Sequence, residues 1–175
     1  MLLSLAALAL VGAGCGSDDS SDESATTGTQ AATTEQSAAG AEFAFPDVGD
    51  DLKAKPEIGE ITGAAPTRLQ TKDIVEGTGP TAKKGDVVSV DYVGVLYDDG
   101  QQFDASWDRG EPIEFQLGVG QVIPGWDQGI EGMKVGGRRL LVIPPDLAYG
   151  EQGAPPAIPP NATLIFVADL KKVRG

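Results

Sequence analysis

Apolar and polar residues alternate along several short stretches in the second half of the chain. In residues 86–97, valine or tyrosine at positions 88, 90 and 92 alternates with Ser89 and Asp91, and an Asp-Asp-Gly sequence follows. A period of two that ends in Asp-Gly is typical of a strand and a hairpin turn. The pattern predicts a strand, a turn and a second strand over residues 101–103.

Two further stretches, Gly137–Pro144 and Asn161–Val173, predict strands, and Thr67–Val75 is a weaker strand candidate. Residues 124–133 have the spacing of a helix instead, because Trp126 starts an apolar i, i+4, i+7 series two residues after a proline, a residue suited to a helix start. The pattern therefore predicts an α+β fold, in which one short helix packs on an antiparallel sheet.

The segment from Pro144 to Pro160 is rich in proline, which fixes φ and removes a hydrogen-bond donor. It predicts a stiff surface loop that carries Tyr149. Two interpretations of this loop stay open, since an aromatic residue on a stiff loop can shape a binding site or pack back on the core.

Residues 1–15 form an apolar run too short to span a bilayer, and they are interpreted as a secretory signal. Cys15 is the only cysteine, which excludes an intrachain disulfide, and its place after Gly-Ala-Gly resembles the lipobox of bacterial lipoproteins. The resemblance implies a diacylated Cys15 that anchors an exported protein to the outside of the cell membrane. An ordinary cleaved signal with an incidental cysteine is the alternative.

Residues 16–66 are built mainly from Ser, Thr, Ala, Gly, Gln and acids, and the nine acidic residues up to Asp51 meet no basic residue. This composition predicts a disordered acidic tether, with Phe43 and Phe45 as an incidental apolar spot or a short docking motif. Residues 67–175 have the size of one domain. The chain has a net charge of −13 and no basic stripe, so nucleic acid is not an expected partner.

The domain lacks most residue types used in acid–base, nucleophilic and metal chemistry. Residues 67–175 contain no histidine, no cysteine and two serines, Ser89 and Ser106. A serine hydrolase is excluded, and no metal or cofactor is expected. Aromatic residues recur through the predicted strands, so the domain is expected to bind an apolar group and to catalyse by binding or not at all.

Several sequence blocks resemble one family in their order and spacing: VSVDYVGVLY, FDAS, IPGWDQGIEGMKVGG, IPPDLAYG and IPPNATLIFVADL. Together they resemble the FKBP family of peptidyl-prolyl cis/trans isomerases over residues 67–173. The resemblance implies an antiparallel sheet of five or six strands wrapped around one short helix, with a pocket between the helix and the sheet.

The resemblance also implies a set of site residues. The expected catalytic residues are Tyr92, Phe103, Asp104, Trp126, Tyr149 and Phe166. The expected substrate-binding residues are Ile113, Phe115, Val122, Ile123 and Ile158. Arg109 is expected to support the site through Asp104 and Tyr92. The chain departs from the family pattern at Ile113, Ala154 and Ala157, which are smaller than usual and thin the rim of the pocket.

The resemblance implies that the protein accelerates rotation of X–Pro bonds in unfolded or exported polypeptides. It also implies that macrolides of the rapamycin type inhibit the protein and that the protein is a monomer. An FKBP-like binding or chaperone module with little turnover is the alternative. Retention of the aromatic residues and of Asp104 favours the enzyme.

Overall fold

The computed structural model describes residues 42–175. The predicted signal, Cys15 and the first part of the predicted tether lie outside the described residues. In the part of the chain that is described, helices are all too short or too polar to cross a membrane.

The described chain forms one antiparallel sheet of six strands. The strands are β1 (Gln70–Val75), β2 (Val87–Leu96), β3 (Gln102–Ala105), β4 (Ile113–Gln116), β5 (Arg138–Ile143) and β6 (Leu164–Arg174). The α+β prediction is confirmed, and each stretch that alternates in sequence contains a strand. The pattern does not predict β4, because its four residues are too few for the alternation to be recognised.

The long strands β2 and β6 lie side by side in the order β1-β5-β6-β2-β3. Two short strands share the other edge of β2: β4 pairs with Val87–Val90 and β3 pairs with Val93–Val95. Residues 91–92 therefore lie in the gap between the two short strands, where the chain leaves β3 and forms a short helix, α1 (Ser106–Arg109).

The main helix, α2 (Pro124–Ile130), begins with proline as predicted and packs on the inner face of the sheet. It ends three residues earlier than the sequence pattern suggests. Glu131 leaves the helix with φ −55° and ψ 135°, and Gly132 follows in the left-handed region at φ 82°. Met133 nevertheless lies in the core beside Ile130. The i, i+4, i+7 spacing therefore predicts which residues are buried, but not where the helix ends.

Alternation along β2 gives the sheet two apolar faces. Val88, Val90 and Tyr92 point into the main core with α2, whereas Val93 and Val95 belong to a second cluster on the outer face. The outer cluster continues onto neighbouring strands through Leu140, Val142, Ile165 and Val167. An antiparallel sheet that is apolar on both faces needs a cover on each side.

Residues 42–62, which we call the N-terminal arm, cover the outer face. Its partly buried apolar residues pack against the outer cluster: Phe43, Phe45, Val48, Ile58 and Ile61. Bridges between Ala44 and Thr62 and between Val48 and Ile58 close the arm into a loop. The prediction of a disordered tether up to residue 66 is therefore wrong for residues 42–62. The sequence pattern does not predict this packing, because the apolar residues of the arm are isolated among polar ones and have no period.

A buried ion pair lies between the arm and the sheet. Arg138 is 1% exposed and donates from Nε and Nη2 to the two carboxylate oxygens of Asp169, at 2.6 and 2.7 Å. Its guanidinium also donates to the arm, from Nη1 to the carbonyl of Gly49 at 2.6 Å and from Nη2 to that of Ala54 at 3.1 Å. One arginine thus joins β5, β6 and the arm.

Candidate functional site

An open cleft of about 430 Å³ lies between α2 and the inner face of the sheet. Its walls come from β2, β3, β4, α2, β6 and the loops before α2 and after β5. The lining residues are Tyr92, Phe103, Asp104, Ile113, Gln121, Val122, Ile123, Trp126, Tyr149 and Phe166.

Trp126 is 3% exposed and forms the buried centre of an aromatic cluster. Its ring meets Tyr92 at 5.1 Å between centroids and Phe166 at 5.2 Å, with interplanar angles of 87° and 90°. Phe103 in turn meets Phe166 edge to face at 5.5 Å. Edge-to-face packing fixes each ring against the next, so the cleft has rigid, apolar walls.

Gly94 supports this cluster from β2. A Cβ atom at this position would lie 2.7 Å from Phe103 Cζ and 2.8 Å from Phe166 Cε1, closer than side chains can approach. Absence of a side chain at Gly94 therefore allows both rings to lie against the strand. Nothing in a single sequence shows what packs on a glycine, so Gly94 is not recognisable there as a site residue.

Asp104 is the charged residue among those that line the cleft, and two partners hold it. Tyr92 donates from its hydroxyl to one carboxylate oxygen, and Arg109 donates from Nη1 to the other. Arg109 also donates from Nη2 to the Tyr92 hydroxyl at 2.9 Å. The three side chains close a ring of hydrogen bonds, in which Arg109 contacts both Asp104 and Tyr92.

The surroundings of Tyr92 keep its hydroxyl group protonated. Burial, together with the hydrogen bond to Asp104, raises the pKa of Tyr92 to about 12. The pKa of Tyr149 is raised as well, first by burial and then by the charge of Asp104. The pKa of Arg109 is raised by its hydrogen bonds to Tyr92 and Asp104. Both cleft tyrosines are thus neutral donors, and Arg109 is a cation, throughout the neutral pH range.

The loop before α2 is fixed by the helix itself. The carboxylate of Asp127 accepts the backbone N–H groups of Gly118 at 2.8 Å and Gly120 at 3.0 Å. This loop leads into Val122 and Ile123 at the cleft. No backbone carbonyl within residues 42–175 accepts the N–H of Ile123, which leaves this donor for a ligand.

The structure brings most of the expected site residues together. Nine of them line the cleft: Tyr92, Phe103, Asp104, Ile113, Val122, Ile123, Trp126, Tyr149 and Phe166. Phe115 and Ile158 are not among the lining residues; both belong to the main core, and the Phe115 ring packs on Trp126 behind the cleft wall. Gln121 lines the cleft as well; it could not be predicted, since a loop glutamine belongs to no sequence pattern.

The proline-rich loop fulfils both of the interpretations left open for it. Tyr149 is 41% exposed and lines the cleft, while Ile158 packs into the core and holds the loop on the sheet.

Across residues 42–175, acidic, histidine and cysteine side chains form no group that could hold a metal ion.

Comparison with known proteins identifies the family. The family model described as FKBP-type peptidyl-prolyl cis-trans isomerase matches residues 79–171. An FK506-binding protein of Streptomyces anulatus is 59% identical over 120 residues, which cover 68% of this chain and 97% of the relative. A probable FK506-binding protein of Corynebacterium glutamicum is 47% identical over 116 residues, covering 66% of this chain and 96% of the relative.

Solved structures agree with the sequence relatives. The crystal structure of FkpA from Escherichia coli matches with a TM-score of 0.56 and 47% identity, over 61% of this chain and 48% of that one. The crystal structure of AtFKBP13 matches with a TM-score of 0.58 and 43% identity, over 63% of this chain and 96% of that one. The chain belongs to the FKBP-type peptidyl-prolyl cis-trans isomerase family, which confirms the resemblance seen in the sequence.

Proposed function

We propose that this chain accelerates cis/trans rotation of X–Pro bonds by binding the twisted amide in its aromatic cleft. The planar amide is held by a barrier of about 18–20 kcal/mol, and uncatalysed exchange takes tens of seconds or longer. Twisting the bond breaks the resonance, which makes the carbonyl and the nitrogen less polar. A dry aromatic cleft therefore favours the twisted state more than water does, and binding alone lowers the barrier.

The cleft offers a place for each part of a prolyl peptide. Trp126 and Phe166 receive the pyrrolidine ring. The Ile123 N–H and the Tyr149 hydroxyl donate to peptide carbonyls on either side of it. Asp104, held by Arg109 and Tyr92, faces the carbonyl of the rotating bond.

One observation carries this proposal: the residues that line the cleft include a single carboxylate, and that carboxylate is already engaged. Asp104 accepts from Tyr92 and Arg109, and neither donor gives up its proton near neutral pH. Such a site is suited to bind the twisted amide and unsuited to shuttle protons.

A protease-coupled assay on a proline tetrapeptide tests the proposal. The full chain should accelerate cis-to-trans conversion, and a rapamycin-type macrolide should compete with the peptide for the cleft. Phe103→Ala and Asp104→Ala should lower turnover strongly while the domain still melts cooperatively. A folded protein that binds the peptide without accelerating its rotation would contradict the proposal and identify a binding module instead.

We further propose that Cys15 carries a diacylglycerol anchor and that the protein acts as a monomer on exported chains outside the cytoplasm. The proposal rests on the short apolar run that ends in Gly-Ala-Gly-Cys. Two acyl chains give stable membrane binding where one is marginal. The protein expressed in a bacterial host should fractionate with membranes, and Cys15→Ser should release it. Intact mass spectrometry that shows cleavage elsewhere and no lipid would contradict the anchor.

A further inference from the structure

Ser106, the first residue of α1, is buried at a point where the sheet is interrupted. Its side chain is 0% exposed, although the residue follows directly after the edge strand β3. It lies two residues after Asp104 and three before Arg109. No step proposed for the isomerase uses its hydroxyl.

The Ser106 hydroxyl replaces a missing strand contact of Tyr92. Ladder pairing between β2 and β3 ends at Val93 and Ala105, and pairing with β4 starts only at Val90. The Tyr92 N–H lies in this gap and donates to Ser106 Oγ at 2.8 Å. Without this acceptor, a buried backbone donor of a cleft residue would have no partner.

The same hydroxyl is itself oriented from the other side. Ser106 donates to the Asp91 carboxylate at 3.1 Å, and Lys171 Nζ lies 3.6 Å from the second oxygen of Asp91. With its proton committed to Asp91, the Ser106 oxygen presents a lone pair to the Tyr92 N–H. These contacts tie the start of α1 to β2.

We propose that Ser106 is a positioning residue that sets the geometry of the Tyr92–Asp104–Arg109 ring and, through it, the turnover of the cleft. It joins the backbone of Tyr92 to the short helix that carries Arg109, and the same chain segment carries Asp104. Loss of the hydrogen bond between Ser106 Oγ and the Tyr92 N–H lets the side chains of Tyr92, Asp104 and Arg109 move apart, although all three are still present. The inference rests on the proposed isomerase function.

The chain offers a matched control in Ser89, which is also buried, at 3% exposure, and lies on β2 with Tyr92 but outside the cleft. Ser106→Ala should lower kcat/KM about 10- to 100-fold, the range expected when reacting groups are misplaced by about 1 Å. The loss should fall mainly on kcat. Ser89→Ala should stay within about twofold of the unmodified chain. Ser106→Cys, which keeps the size of the side chain but accepts poorly, should be intermediate.

Two measurements separate positioning from a general loss of stability. In the Asp104→Ala background, Ser106→Ala should cost less than about twofold, because the group it positions is gone. NMR titration of the labelled tyrosines should show the pKa of Tyr92 in Ser106→Ala moving down from about 12 towards its ordinary value, as its contact with Asp104 loosens.

The outcomes are distinguishable. If the unmodified chain does not accelerate prolyl rotation, the proposed function fails, and with it this inference. If the unmodified chain is active but folded Ser106→Ala keeps full turnover and an unchanged Tyr92 titration, only the inference fails. An equal loss with and without Asp104 would also overturn it. Should Ser106→Ala not fold, Ser106→Cys decides by the same readouts.

Discussion

Replacing Arg138 by methionine breaks the buried ion pair under the arm and leaves the Asp169 carboxylate, at 2% exposure, without its partner. Removing one member of a buried pair costs about 3–5 kcal/mol. The carbonyls of Gly49 and Ala54 also lose a donor, but both residues are exposed and water replaces it. We therefore expect Arg138→Met to lower the free energy of unfolding by about 4 kcal/mol, or Tm by about 12–16 °C.

The double variant Arg138→Met/Asp169→Leu separates charge from packing. With both charges removed, the desolvation penalty disappears, and only the hydrogen bonds to the arm are lost, at about 1–2 kcal/mol. The double variant should therefore be more stable than Arg138→Met alone. Arg174→Met on β6 is the control, because Arg174 and its partner Glu114 are 60% and 49% exposed and the pair should contribute about 1 kcal/mol or less.

Urea unfolding followed by tryptophan fluorescence and circular dichroism measures these differences, provided that the m-value stays constant. Isomerase turnover should be unchanged below the melting temperature, since the pair lies under the arm and the cleft lies on the opposite face of the sheet. A loss of unfolding free energy below about 1 kcal/mol for Arg138→Met would refute this reasoning. So would a double variant whose loss equals the sum of the losses in Arg138→Met and Asp169→Leu.

Three more perturbations test other parts of the structure. Gly94→Ala should lower kcat/KM at least tenfold in a protein that still folds, because the new methyl group displaces Phe103 and Phe166; normal turnover would show that the rings move freely. Phe45→Ala should cost about 1–2 kcal/mol in urea unfolding, since its ring is half-buried on the outer face, and no change would mean that the arm does not pack there in solution. Because Tyr92 has a raised folded pKa, its contribution to stability is full below its unfolded pKa of about 10 and is lost as the pH rises through about 12, so alkaline melts of Tyr92→Phe should lose less stability across that window than the unmodified chain.

Much of the domain could be predicted from the sequence because its signals are local. Alternation in residues 86–97 and 161–173 predicts the two central strands, and the spacing from Trp126 predicts α2. Of the aromatic residues of the cleft, Tyr92, Phe103 and Phe166 lie on patterned strands and Trp126 on the predicted helix. A family resemblance then suffices to group them.

What the sequence could not show depends on contacts between distant segments. The arm has no period of its own, and its apolar residues have meaning only once the outer face of the sheet is known to be apolar. The same holds for Ser106, which pairs with a backbone N–H fourteen residues away, and for Gln121 in its loop. Phe115 and Ile158 illustrate the reverse case, in which residues expected to bind substrate belong to the same core cluster as Trp126 but do not line the cleft.

The dependence of kcat/KM on pH tests the central claim most directly, namely that the cleft acts by binding and transfers no proton. With a proline tetrapeptide and the full chain, kcat/KM should be flat between about pH 6 and 9, because the pKa values of Tyr92 and Tyr149 are both raised and the domain contains no histidine. A bell-shaped or sloping profile in a protein that stays folded over this range would show that a titrating group takes part in the reaction, and would contradict catalysis by binding alone.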